Sequence, residues 1–191
     1  MPSSFGPAGL LLPLVLLGSS ACAAKATGPA PVPVPPYSRA ADLTWTELTT
    51  WLPGTWAATT ERGTTITESF RLVSSGSALV ETFGVGGSHE TLSVYYRDRG
   101  SLLLTHYCAQ GNQPRLRSGG ADANGITTFR FVDVNDLGGD EDVMVERRFQ
   151  MRTGGTEGDP PRELVQTEVY RRPDGTLDTT SLHFVRIRSE S

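Results

Sequence analysis

Residues 42–61 read DLTWTELTTWLPGTWAATTE, and the rest of the chain takes its meaning from them. Asp42-Leu43-Thr44-Trp45-Thr46-Glu47-Leu48 opens like a short helix: Thr44 is placed to cap it, and Glu47, three residues on, closes a capping box. Leu48, Trp51 and Leu52 recur at helical spacing, and Pro53-Gly54 ends the run. After Gly54 the apolar residues alternate instead. The alternation predicts strands at 54–61, 64–73, 77–85, 89–97, 101–108, 126–134, 142–152, 162–171 and 179–188. Turn signals break them at Arg62-Gly63, Ser75-Gly76, Gly86-Gly87, Asp98-Arg99-Gly100 and Pro173-Asp174-Gly175. Short strands at this spacing define an all-β fold. No internal repeat suggests a propeller. Closing the sheet removes unpaired edges, so a single antiparallel β-barrel with a short N-terminal helix is expected over residues 42–191.

The chain has 191 residues, 37% hydrophobic and 20% charged, which suits one core rather than two. Its 17 basic and 21 acidic residues are interspersed, so no basic stripe for nucleic acid exists. Upstream of the barrel, Ala8–Gly18 (AGLLLPLVLLG) is an apolar run interrupted by Pro13. It is too short for a membrane span, which takes roughly 20 residues. The small residues SSACAA follow it, so residues 1–21 read as a signal peptide. Ser19-Ser20-Ala21-Cys22 resembles a bacterial lipobox, with Ser19 where that motif usually has Leu. The resemblance implies a lipidated Cys22 as first residue of the mature chain, anchored in the bacterial cell envelope, in the periplasm or at the outer membrane. Cleavage after Ala21-Cys22-Ala23 is the alternative, and it discards the cysteine. Residues 22–41 read as a tether: in ATGPAPVPVPP (26–36) five of eleven residues are Pro, which favours extended polyproline II. Once Cys22 is lipidated or removed, Cys108 is left alone and no intramolecular disulfide is available.

A resemblance sharpens the barrel reading. A short helix, then Gly54-Thr55-Trp56, then Arg186 or Arg188 near the end of the last strand, resembles the calycin pattern of lipocalins and fatty-acid-binding proteins. It implies that Trp56 closes one end of the barrel and that the arginine, Arg186 foremost, lies across its ring. The stretch from His89-Glu90-Thr91 to Arg117, with LTHYCAQGNQPR at 104–115, is similar to uncharacterised bacterial lipocalin-like domains, over most of 45–188. That likeness implies a fold and no activity.

Strand parity shows polar residues on apolar faces. Glu68 lies among Ile66, Phe70 and Leu72; Glu81 among Leu79, Phe83 and Val85; His106 follows Leu102 and Leu104 and precedes Cys108; Arg147 lies among Val143, Val145, Phe149 and Met151. Such groups are costly to bury unless they pair. One reading is an internal ionic cluster that fixes register. Another is a pocket for a small, partly apolar molecule, non-enzymatic, with Glu81, His106, Arg147 and the rim residues Gln113 and Arg115 as contacts; an inward arginine there favours an anionic head group. A third gives Glu81 or His106 an acid–base role, although no Ser-His-Asp order, nucleophile elbow or phosphate loop is present. A different class of function, an interaction module using the barrel exterior to bind an envelope partner, remains open.

The segment 108–120, CAQGNQPRLRSGG, reads as a polar rim connection that either contacts a ligand or simply turns the chain. DVNDLGGDED at 133–142 lacks the order of a calcium loop and reads as a solvated turn. His89, His106 and His183 show no HxH or HxxxH spacing, so no metal site is expected. The last strand also resembles that of nitrobindins, small haem-holding barrels, with His183 in the ligand's place. Inward Val185 and Ile187 would turn His183 inward to ligate haem; the opposite parity puts Leu182, Phe184 and Arg186 inside.

Overall fold

The computed structural model describes residues 38–153 and 160–187. Helix α1 (Arg39–Trp51) leads into ten strands: β1 (Gly54–Thr59), β2 (Thr65–Val73), β3 (Ala78–Phe83), β4 (Thr91–Asp98), β5 (Ser101–Tyr107), β6 (Gln113–Ser118), β7 (Ile126–Asn135), β8 (Val143–Thr153), β9 (Pro161–Arg171) and β10 (Leu177–Ile187). Each pairs antiparallel with its sequence neighbours, and β1 pairs antiparallel with β10 to close the barrel.

The closure explains the tenth strand. In an up-and-down barrel an odd strand count would bring first and last together in parallel. Gln113–Ser118, expected to lie within a rim connection, supplies the missing strand: Pro114, Leu116 and Ser118 are buried while Arg115 is exposed. The Gln-Pro-Arg-Leu-Arg-Ser run hides its alternation, because Pro and Ser occupy two of three inward positions and Gln and Arg the outward ones. Three register shifts complete the barrel. One lies between β6 and β7, where Arg115 faces Asp133 and Leu116 faces Phe131. A second lies between Met144 and Glu146, where β8 meets β9, and a third between Arg152 and Thr153 on the same strand. That second bulge corrects the expected inward face of β8. Met144 joins the core in place of Val145, while Arg147 and Phe149 stay inside.

The helix starts earlier than the sequence suggested. Ser38 caps it, its hydroxyl accepting from the Ala41 N–H at 3.4 Å. Thr44 is instead buried, its hydroxyl accepting from the Ala121 N–H at 2.7 Å. Ala41, Trp45, Leu48 and Leu52 face the core, so α1 stoppers one end of the barrel. At Gly120 (φ 108°) a Cβ would fall 2.5 Å from the Ala40 carbonyl carbon, so only glycine permits this approach.

The calycin-like signature forms a clasp at that same end. Trp56 is fully buried and donates its indole N–H to the Leu52 carbonyl at 2.9 Å. The Arg186 guanidinium stacks 4.3 Å from the Trp56 ring centre and donates to the Pro53 carbonyl at 2.9 Å and to the Trp51 carbonyl. Gly54 (φ 128°) leaves the space: a Cβ there would meet Arg186 Nη1 at 2.9 Å. Helix end, first strand and last strand are thereby tied together.

Candidate functional site

The interior is stratified. Nearest the helix and across the middle, aromatic rings meet edge to face: Tyr95 with Phe129 at 5.6 Å, Phe70 with Phe149 at 6.3 Å, and Phe129 with Phe149 at 6.3 Å. A ten-stranded barrel is wider than the eight-stranded kind that side chains just fill, and these rings occupy much of it. One inward position further from the helix on β2, β3, β5 and β8, the lining turns polar.

Register builds that polar layer. Glu81 on β3 lies opposite Ser93 on β4, and Ser93 lies opposite His106 on β5. Across the barrel, Arg147 on β8 lies opposite Glu168 on β9, and Glu68 projects from β2. Arg147 is the hub. Its Nη1 donates to Glu81 at 2.7 Å, to Ser93 at 3.0 Å and to the Tyr95 hydroxyl oxygen at 2.9 Å; its Nη2 donates to Glu168. Tyr95 also donates to Glu81, and Gln166 donates to Glu168 at 3.2 Å. Ser93 Oγ lies 3.0 Å from His106 Nδ1.

Burial sets the charges. His106 is pushed down to about 4 by burial and then by the Arg147 charge, so its ring is neutral near pH 7. Burial, reinforced by Glu81, pushes Glu68 well above the usual carboxylate range. Burial raises Glu81 too, with Arg147 opposing. Several buried atoms find no hydrogen-bond partner among the described residues: both Glu68 oxygens, Glu81 Oε1, Gln166 Oε1, His106 Nε2 and Arg147 Nε. Buried polar atoms are normally satisfied, and here the unsatisfied ones come from five strands facing one interior.

Beyond this layer, towards the end opposite α1, the wall becomes apolar again and partly exposed, with Ile66, Phe83, Tyr170 and Leu182. Ile66 and Phe83 also line a cleft of about 330 Å³ with Val85, Ser88 and His89. Glu168 is 16% exposed, whereas Glu81 and Arg147 are sealed.

The expected site residues divide. Glu81, His106 and Arg147 are brought together, with Glu68 beside them. Gln113 and Arg115 are not. Gln113 donates to the Gly111 carbonyl within its own turn, and the exposed Arg115 pairs with Asp133 at 2.6 Å. Nor does Arg147 offer an anion-binding face, because carboxylates already occupy both its terminal nitrogens. The 108–112 turn is instead fastened to the acidic 133–142 stretch: Asn112 donates to Glu141 at 2.9 Å, and the Asp142 N–H donates to Gln110 at 2.8 Å. His183 is exposed, on the face of β10 opposite Leu182 and Phe184, so the inward parity that the haem reading needs is not adopted. Cys22 lies outside the described residues.

Nothing in the sequence singles out Ser93, Tyr95, Gln166, Glu168 or Tyr170. On β9 the alternation runs against expectation, with Val165 and Val169 on one face and Gln166 and Glu168 on the inner one. No protein-family model matches the chain, and no curated protein is detectably similar to it. The closed antiparallel barrel with its leading helix and Trp56–Arg186 clasp is consistent with a lipocalin-like fold.

Proposed function

We infer that the barrel is a non-enzymatic carrier or sensor of a small, partly apolar molecule. The ligand enters at the end away from α1, sets its apolar part against Ile66, Phe83, Tyr170 and Leu182, and directs its polar part to Glu68, Glu81, His106 and Arg147. The supporting observation is the set of buried polar atoms from separate strands that converge without partners, below a partly exposed apolar collar. Pockets in barrel mouths combine these two linings. A thermal-shift screen of small molecules tests the reading. A true ligand raises the melting temperature, since ligand at a hundred times its Kd adds about 2.7 kcal/mol. Phe83→Trp, which crowds the collar, abolishes that shift. A shift that persists in Phe83→Trp places the binding elsewhere.

The lipobox-like Ser19–Cys22 and the Pro-rich stretch after it support an envelope lipoprotein that holds the barrel clear of a membrane surface. Mass spectrometry of the native protein checks this: a diacylglyceryl adduct on Cys22 is expected, and an unmodified N-terminus at Ala24 or beyond contradicts it.

A further inference from the structure

We propose that the polar part of the ligand is an organic cation, a protonated amine or amidine, held between Glu68 and Glu81. The inference rests on the binding reading above and names the chemistry of that same site.

Three carboxylates, Glu68, Glu81 and Glu168, face a single guanidinium, Arg147, inside the barrel. Fully ionised, the layer carries an excess of two negative charges, with His106 neutral. Arg147 spends its two terminal nitrogens on Glu81, Ser93, Tyr95 and Glu168, leaving only Nε free. Vacant acceptors dominate instead: Glu68 Oε1 and Oε2, Glu81 Oε1 and Gln166 Oε1. A ligand carboxylate or phosphate brought here would meet like charge and no free arginine face. A group with several N–H donors and a positive charge satisfies both the charge and the vacant acceptors. Phe83 lies at the collar, and ring faces attract cations.

A bare metal ion fits less well. Among the described residues, no three His, Cys, Asp or Glu side chains converge closely enough to hold one. Glu68 and Glu81 lie on the neighbouring strands β2 and β3, with Glu168 on β9, and a polyatomic cation can reach the first two together.

Burial and the neighbouring Glu81 raise Glu68 and so favour its protonated form when no cation is bound; the groups facing it are Glu81, Arg147, Glu168 and the neutral Gln166. A cation takes the place of that proton. Binding therefore releases the proton held by Glu68, and affinity rises with pH until Glu68 ionises in the free protein.

Calorimetry on the full-length protein tests this with three probes sharing one apolar part: 2-phenylethylamine, 2-phenylethanol and phenylacetate. The amine is expected to bind at least about tenfold more tightly than either other probe. Repeating the titration in buffers of different ionisation enthalpy should show proton release. Glu68→Gln should remove both the amine preference and the release, while leaving any weak binding of the alcohol. Tighter binding of the acid or the alcohol overturns the cation assignment and leaves the binding reading standing. Binding of none of the three overturns the assignment, and the binding reading is then judged by whether any molecule co-purifies. Should Glu68→Gln fail to fold, the ranking of probes on the unaltered protein decides alone.

Discussion

Arg147 shows how a charged side chain survives at the centre of a barrel: it has hydrogen-bonded partners on both terminal nitrogens, two of them carboxylates. Taking the guanidinium away leaves Glu81 and Glu168 unpaired, and breaking a buried pair in this way costs about 3–5 kcal/mol. Urea unfolding of Arg147→Ala should show that loss, and a cost below about 1 kcal/mol would contradict the hub role. Trp56 belongs to the same scale but a different physics. Trp56→Ala leaves a void beneath Arg186 and frees the Leu52 carbonyl, with an expected cost of about 3–5 kcal/mol. Unchanged unfolding would show that the clasp does not hold the barrel end. These residues were legible in the sequence because each breaks a local pattern: Arg147 interrupts an apolar face, and Gly54-Thr55-Trp56 follows a helix stop. Tyr95 and Ser93 break no pattern. Their part depends on which strands lie beside β4 and across from it, and only the closed fold supplies that.

At the scale of elements, the alternation revealed nine strands and concealed β6. An inward Pro114 and Ser118 give a strand the composition of a loop, and its pairing with β5 and β7 comes from neighbours distant in sequence. Hydrogen exchange provides the check: amides of Leu116 and Arg117 should be protected like those of β5, whereas a rim loop would exchange within the dead time. The bulge at Val145 hides the inward face of β8 in a similar way. Parity assigned from one end of β8 fails beyond the bulge, and that is why Met144 rather than Val145 reaches the core. For Glu68, Glu81, His106 and Arg147 parity succeeded, because no bulge separates each of them from its apolar neighbours Phe70, Leu79, Leu104 and Phe149.

For the whole molecule, the interior charges make stability depend on pH in two opposing ways. Glu68 is raised in the fold, so from about pH 4.5 upward the folded state binds more protons than the unfolded chain, and stability falls as pH rises towards the folded value. His106 is lowered to about 4 from 6.5, so between those values the unfolded chain binds more protons and stability rises with pH. Glu68→Gln removes its own share of the first effect and leaves that of Glu81, which burial also raises, together with the second effect. Its stability relative to the unaltered protein should therefore climb with pH above about 4.5. A pH-independent difference would show that Glu68 is ordinarily ionised in the fold. The barrel keeps these charged groups at one level of its interior while its helix end is closed, and the proposed occupancy is from the opposite end.

Native mass spectrometry of the protein purified without denaturation addresses that occupancy most directly. The account predicts a population heavier by the mass of one small molecule, carrying a basic nitrogen, and reduced in Phe83→Trp and in Glu68→Gln. A single species at the mass of the bare chain, unchanged after incubation with cell extract, would contradict it.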